Sequence, residues 1–558
     1  MNFLQKLFGK RKSVDESEEN SRVVKEKPVA DRLSTSTLES EAKPALPVGY
    51  ELDEAIEQAR ASLSNVHPVD PSRNRIAFVT RGSSGVRWFP DPQTNTLVQR
   101  DEYAENIPEA LVEICQKTGW ELVVIYMGRA PEFDAKHLSY SDRFPETARD
   151  VDFSGLGSSI ANLRLAMGNH FQKKWDEVRD DSGFKAAFSY KGIPLYEEVE
   201  LGLDRFAPVI AANDITNYAH WKALFDHFSP LMIIGGRLDS NPGLLQAAQD
   251  ADVFSANVKL GIGEEMLTPF FLGDGDGRPA KRISPDLHLL WGPKQAEMLD
   301  VRVEEHPSDW VAVGRTRNDS FGDAAPAGRS ARFREHIGAQ PNSPIIVYGA
   351  NHRTFYAKNP GDNDGLCCLS WNSYKAAMVA LIDVAREHPG TVVVVKPHPS
   401  DDISNIRKFV ETITGPVRIV TNEEGFHNAA ILGEADIFVS SVSSMFSEAL
   451  ASDCVPVSLW LDEINFLYEK NRHTMFSEIA LPAESIKEMK SVVAEILSTS
   501  NKEPILAELR GNLPHYFGPV DGRNADRAVT AALHALMDRR PELADAAEWL
   551  KDTAELSY

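Results

Sequence analysis

Two short stretches carry the residue types that handle phosphate esters. In VVVVKPHPSDD, residues 392–402, a β-branched run reads as a buried parallel strand that leaves through Lys396-Pro397-His398-Pro399. The prolines favour an extended path, and in an extended stretch residues two apart point the same way. Lys396 and His398 are therefore expected to face one crevice together. A cation beside an imidazole suits a phosphate and its leaving oxygen. In ADIFVSSVSSMFSEAL, residues 435–450, a second short strand runs into four serines within 440–444 and then a helix. Serine is a good N-cap, and a helix start presents unpaired N–H groups to an anion. Capping accounts well for one serine and less well for four. Ser443 and Ser444 are thus candidate phosphate donors, with Glu448 placed to accept from ribose hydroxyls.

The elements that must position these groups alternate along the chain. Apolar runs near 76–80, 121–126, 230–234, 253–258, 287–290 and 310–313 alternate with helical patterns such as 107–118 and 158–168. RTRNDSFGDAAPAGRS, residues 315–330, lacks an apolar period and reads as a connection. A second alternation follows, with runs near 345–349, 391–396, 417–420, 436–439 and 455–459. Strand–helix alternation predicts parallel sheets covered by helices, and ligands in such sheets bind off the carboxyl ends of the strands. The expectation is an α/β protein with two Rossmann-like, doubly wound domains facing a cleft. A tail over 1–48 precedes domains at 49–320 and 321–558.

Strand–KPHP, then strand–serine cluster–helix with an EAL step and a VPV strand, resembles the C-terminal half of GT-B enzymes of bacterial surface polysaccharide synthesis. These are the capsule-type sialic-acid and Kdo transferases and the CDP-glycerol glycerophosphotransferases. SPDLHLLWGPKQAEML, residues 284–299, and DWVAVGRTRNDSF, residues 309–321, are similar to their Asp-then-Trp-Gly and Val-Gly-x-x-Arg-x-Asp segments. The resemblance covers roughly residues 185–460. It implies a nucleotide site built from Lys396, His398, Pro399, Ser443, Ser444 and Glu448, with His398 in the chemistry. It implies a glycosyltransferase that moves a sugar from a nucleotide-sugar donor to a glycan, glycolipid or glycoprotein acceptor. The glycerophosphotransferases usually carry Asp before the paired serines. Ser441-Val442-Ser443-Ser444 stands here, which tilts the reading toward a CMP-linked acidic sugar. The alternatives are polyol-phosphate transfer from CDP-glycerol, a nucleotide-sugar 2-epimerase and a non-catalytic scaffold of the same fold. The epimerases usually carry Asp-Ser-Gly-Gly at the serine position, which this chain lacks.

Other loops supply further candidates. YGANHRTFY, residues 348–356, would overhang the donor and offers His352 and Arg353. RGSSGVR, residues 81–87, reads as a strand–helix turn whose Arg81 and Arg87 could meet a phosphate or sugar carboxylate. IIGGRLDSNPG, residues 233–243, adds Arg237 and Asp239. Inverting transfer needs a base for the acceptor hydroxyl and positive groups for the leaving phosphate. For the base the chain offers Glu265, Asp239, Glu264 and Asp276. No DxD-like pair after a strand asks for a metal. The DGDG at 274–277 lacks the spacing and distal Glu of a calcium loop. No cofactor beyond the substrate nucleotide is implied.

A net charge of −23 argues against nucleic-acid binding, which needs a basic field toward the phosphates. Four cysteines without CxxC spacing read as reduced cytoplasmic thiols. No signal-peptide pattern opens the chain, so a cytoplasmic location is expected. Residues 1–12 carry Lys6, Lys10, Arg11 and Lys12 beside Phe3, Leu4, Leu7 and Phe8. That basic amphipathic start could rest on the anionic inner membrane, and the Ser-, Glu-, Lys- and Pro-rich stretch behind it reads as a disordered linker.

Overall fold

The computed structural model describes residues 52–80, 86–90, 97–101, 106–127, 140–153, 158–187, 189–190, 193–194, 196–236, 238–259, 284–295, 309–320, 329–349, 369–398, 401, 403–421, 424, 426, 428–441, 443–461 and 478–543. The expected tail over 1–48 lies outside them.

The first lobe holds a seven-stranded parallel sheet. Its strands are β1 (Arg75–Thr80), β2 (Glu121–Tyr126), β3 (Ala148–Asp152), β4 (Met232–Gly236), β5 (Phe254–Val258), β6 (Leu287–Leu290) and β7 (Asp309–Ala312), in the order β7-β6-β5-β4-β1-β2-β3. The second lobe holds β8 (Ile345–Tyr348), β9 (Val392–Val395), β10 (Val417–Ile419), β11 (Ile437–Ser440), β12 (Val455–Leu459) and β13 (Leu481–Ala483), in the order β10-β9-β8-β11-β12-β13. Both sheets are doubly wound. Each reverses direction beside its first strand, between β1 and β4 and between β8 and β11. Those reversals are the points where such sheets open a ligand crevice at the strand carboxyl ends.

Burial explains the elements. Along β1, Ile76 and Phe78 enter one core while Ala77 and Val79 enter the other, so both faces of the sheet are covered. The helices α1 (Leu52–Val66), α2 (Ile107–Thr118), α3 (Ser158–Val178), α4 (Tyr196–Phe228) and α5 (Pro242–Asp250) supply that cover. In the second lobe α6 (Trp371–Glu387), α7 (Met445–Ala451), α8 (Ile486–Ser498) and α9 (Glu503–Phe517) pack with the sheet in one continuous core.

Several elements differ from expectation. α3 runs ten residues beyond residue 168, and α4 is a 33-residue helix that carries Pro208 inside it. β3, ARDVD, is too polar to announce itself and forms an edge strand. Residues 86–90 form a strand of an antiparallel hairpin with Leu97–Asp101, where a turn into a helix was expected.

The chain also crosses between lobes twice. The last described helix, α10 (Asn524–Arg539), was expected with the second domain. It instead places Ala525, Ala528, Val529, Ala532, Leu533 and Leu536 in the first lobe's core. Helical periodicity marks an apolar stripe without saying which sheet covers it. Conversely Trp291, one residue past β6, packs in the second lobe's core, 5.4 Å from Phe517. Gly292 permits this insertion, because a Cβ there would stand 2.5 Å from the His515 carbonyl oxygen.

Asp319 fixes the return of α10 by accepting the N–H groups of Asn524 at 2.9 Å and Ala525 at 2.7 Å. Burial pushes its carboxyl up to about 6, against the pull of those two N–H groups. A raised acid favours the protonated folded form. This group's contribution is therefore greatest below about pH 4 and is lost as pH rises through 6. Asp319→Asn has no proton to lose. Wild type should thus gain on the variant by up to about 3 kcal/mol between pH 7 and pH 4 in urea unfolding, at about 1.4 kcal/mol per unit. A stability difference that stays flat across that range would contradict the assignment.

Candidate functional site

Both phosphate-type motifs sit at the carboxyl edge of the second sheet, on either side of β8. Lys396 follows β9, and its N–H donates to the Tyr348 carbonyl oxygen at 2.9 Å. Ser440 ends β11, and its hydroxyl donates to the Gly349 carbonyl oxygen at 3.0 Å. The N–H of Gly349 in turn donates to the Val439 carbonyl oxygen at 3.0 Å. One strand therefore separates the motifs, a span of about 10 Å at sheet spacing. That span suits a phosphate ester and its sugar or ribose.

His398 and Asp401 are joined by two hydrogen bonds. The Asp401 carboxylate accepts the His398 N–H at 2.7 Å, and the Asp401 N–H returns to the His398 carbonyl oxygen at 2.9 Å. Asp401 is buried while His398 is exposed, so a buried carboxylate holds the backbone that presents the imidazole. Lys396 is buried. The sequence pattern did not mark Asp401; its carboxylate reaches back three residues to a backbone N–H, as the acidic residue of a capping box does.

The serines divide by environment. Ser440, Ser441 and Ser447 are fully buried. The Ser441 carbonyl oxygen accepts from the Ser458 hydroxyl, and the Ser447 hydroxyl donates to the Ser444 carbonyl oxygen. Ser443 and Ser444 are half-buried. The Met445 N–H is accepted by Ser443 at 3.2 Å, and Ser444 makes no capping bond of its own.

Beneath that turn lies a buried charge network. Arg315, in the segment connecting the sheets, donates to the Ser444 carbonyl oxygen at 2.8 Å, the Ser447 hydroxyl at 2.9 Å and Glu448 Oε1 at 2.9 Å. Its guanidinium lies 5.0 Å over the Trp291 ring. Arg317 Nε stands 3.3 Å from the same Glu448 oxygen, and Asn428 donates to Glu448 Oε2 at 2.6 Å. Burial would raise Glu448, but Arg317, Arg315 and the Asn428 bond hold its carboxyl below the ordinary value. Glu448 was expected to face ribose hydroxyls. In the structure it is fully buried, with both oxygens engaged, because this face of α7 is pressed against the connecting segment. Gly314, with φ of 94°, is needed beside it: a Cβ there would stand 1.9 Å from Asn524 Oδ1.

On the first lobe, Asp239 sits in the turn Leu238–Ser240 that follows β4. Its carboxylate accepts from Lys259 Nζ at 2.7 Å. The Lys259 carbonyl oxygen accepts from Trp291 Nε1 at 2.6 Å. Arg87 lies on the strand Val86–Pro90, opposite Arg100. Pro399, His352, Arg353, Arg81, Arg237, Glu264, Glu265 and Asp276 lie outside the described residues, as do residues 1–12. Among the described residues no three His, Cys, Asp or Glu side chains gather as a metal site, and no helix is long and apolar enough to cross a membrane.

No protein-family profile matches the chain, and no curated protein sequence matches it. Solved structures similar to it include UDP-GlcNAc 2-epimerase from Neisseria meningitidis bound to UDP-GlcNAc, at 11% identity and a TM-score of 0.44 over 83% of this chain and 100% of that one. A glycosyltransferase from Rickettsia africae is 10% identical, with a TM-score of 0.46 over 84% and 98%. The wall teichoic acid polymerase TagF is 10% identical, with a TM-score of 0.43 over 88% and 95%. These are likenesses of fold. The doubly wound order of the two sheets already carries that conclusion.

Removing one partner of a buried ion pair leaves an uncompensated charge and costs about 3–5 kcal/mol. Glu448→Ala should lose that much in chemical denaturation, while Ser443→Ala, on the half-buried turn, should lose less than about 1 kcal/mol. Equal stability of Glu448→Ala and wild type would show that the network does not hold the turn.

Proposed function

We propose that this chain is a GT-B glycosyltransferase that moves a sugar, a CMP-linked acidic sugar by preference, from a nucleotide donor to a surface glycan, glycolipid or glycoprotein acceptor. The observation that supports it is the placement of the Lys396–His398 loop and the Ser443–Ser444 turn on either side of β8, where the second sheet reverses. Ligands of open α/β sheets bind at such a point.

In this reading the donor phosphate lies between the loop and the turn. Lys396 and the Ser443 and Ser444 hydroxyls oppose the charge that grows on the leaving phosphate. His398, on its exposed loop, supplies a proton or a hydrogen bond to the leaving oxygen. Arg315, Arg317 and Glu448 touch no donor atom in this scheme; they hold the turn. His352, Arg353 and Pro399 belong to the donor side and Arg81, Arg87 and Arg237 to the substrate side, with Glu265 or Asp239 as the acceptor-side carboxylate. A metal-independent reaction in the cytoplasm, at the inner membrane through residues 1–12, completes the reading.

The test is titration of the full-length protein with CMP-, CDP-, UDP- and GDP-linked donors, followed by thermal shift and calorimetry. One nucleotide class should stabilise the protein. Lys396→Met and the double variant Ser443→Ala/Ser444→Ala should each weaken that nucleotide about ten- to a hundredfold, the value of hydrogen bonds to a charged group. Failure of every donor to bind, or binding that ignores both substitutions, would remove the proposal.

A further inference from the structure

A helix that lies on a sheet turns one apolar stripe toward the core and keeps polar residues outside. α4 obeys this along its second half and breaks it along its first. Ala212, Thr216, Ala219 and Ala223 follow one another at helical spacing on one side of it, and all are buried. Leu201 and Val209 continue that side upstream. There Leu201 is 81% exposed, Val209 50% and, further round the helix, Ile210 55%. A single exposed apolar residue is ordinary; three on one stretch of helix, prolonging a core stripe, ask for a cover.

Charge narrows what the cover can be. Residues 196–214 carry five acids, Glu197, Glu198, Glu200, Asp204 and Asp214, against the single base Arg205. A second copy of this stretch would bring acid against acid, and so would an anionic bilayer. The fitting occupant is apolar and cationic. Residues 1–12 have that chemistry, with Lys6, Lys10, Arg11 and Lys12, no acid, and Phe3, Leu4, Leu7 and Phe8.

The chain also enters the fold beside this stretch. His227 Nδ1 stands 3.2 Å from the Ser64 hydroxyl and its Nε2 2.8 Å from the His67 carbonyl oxygen, so the C-terminal ends of α1 and α4 meet. At the other end, burial raises the Tyr218 phenol, and the bond to Asp250 and the charges of Asp250, Asp226 and Asp53 raise it further, which places the start of α1 near Tyr218. The two helices thus run side by side in one direction. Tyr218 lies about 12 Å along α4 from Ile210. Roughly forty residues join residues 1–12 to Leu52, and a coil of that length spans about 35 Å. A peptide tethered so near its seat meets it at an effective concentration of about a millimolar.

We propose that residues 1–12 dock on residues 201–210 of α4, with Phe3, Leu4, Leu7 and Phe8 covering Leu201, Val209 and Ile210 and the lysines meeting Glu197 and Glu200. The inference stands whether or not the chain transfers sugar. It sets a condition on membrane contact through the same residues. One apolar face cannot lie on α4 and in a bilayer together, so anionic lipid must draw it off the helix.

The test is zero-length carbodiimide cross-linking of the full-length protein, mixed from light and heavy isotope preparations and read by mass spectrometry, with amide hydrogen exchange on the same samples. Links from Lys6, Lys10 or Lys12 to Glu197, Glu198 or Glu200 should form within one isotope label. Lys6→Glu/Lys10→Glu should cut those links and speed exchange over residues 197–210, each about tenfold, while residues 219–228 stay unchanged. Glu197→Lys/Glu200→Lys should do the same. The two reversals combined should restore slow exchange, which a variant that merely loosened the helix could not do. Vesicles containing phosphatidylglycerol should abolish the wild-type links. Links found only between isotope labels would overturn the proposal in favour of a second copy. Links that persist on vesicle-bound protein, or exchange over residues 197–210 that ignores every substitution, would overturn it as well.

Discussion

The guanidinium of Arg315 is the point on which the arrangement depends. It leaves the first lobe's last strand, lies on Trp291, and hydrogen-bonds the backbone and side chains that open α7 in the second lobe. A charge buried this deeply would cost several kcal/mol without Glu448, and Glu448 would cost as much without the arginines. Neither can be given up alone. The connecting segment is thereby committed to one seat, and the serine turn sits directly above it. A buried ion pair is weak evidence for stability in itself, but it fixes geometry well. Here the geometry it fixes is that of Ser444 and Ser447, where α7 opens.

The two crossings of the chain reinforce that seat. Trp291 enters the second core through the gap that Gly292 leaves, and α10 returns to the first core with its N-terminus held by Asp319. Each lobe thus owns a piece of the other. Gly314 allows Asn524 to come against the connection, where a Cβ would collide. The His-Pro loop stands apart from this joint. Asp401 holds it from within its own turn, so His398 is positioned by a local bond and the serines by a long-range one.

Much of this was legible in the sequence. The β-branched run before Lys396 and the serine-rich step after 437–439 located both motifs and the strands that carry them, because a buried parallel strand needs a continuous apolar run. Two tandem alternations gave the two doubly wound sheets. The roles inside the motifs were less legible. Glu448 looked like a surface acceptor, since nothing local says that Arg315 and Arg317, over 130 residues earlier, fold against it. The Val-Gly-x-x-Arg-x-Asp resemblance pointed at that segment without its function. The structure assigns Gly314 to close packing, Arg315 and Arg317 to Glu448, and Asp319 to the cap of α10. The ion pair of Lys259 with Asp239 spans 20 residues and two strands, a separation that periodicity does not relate.

A ligand gripped at once by the His-Pro loop and by the serine turn that the interlobe arginine supports must leave its mark on both. Amide hydrogen exchange, with and without a saturating nucleotide, addresses it in a single measurement. Slowed exchange is expected at His398–Asp401 and Ser443–Met445 together, accompanied by the connecting residues Arg315–Asp319. Protection confined to one of these segments, or appearing only elsewhere on the protein, would contradict it.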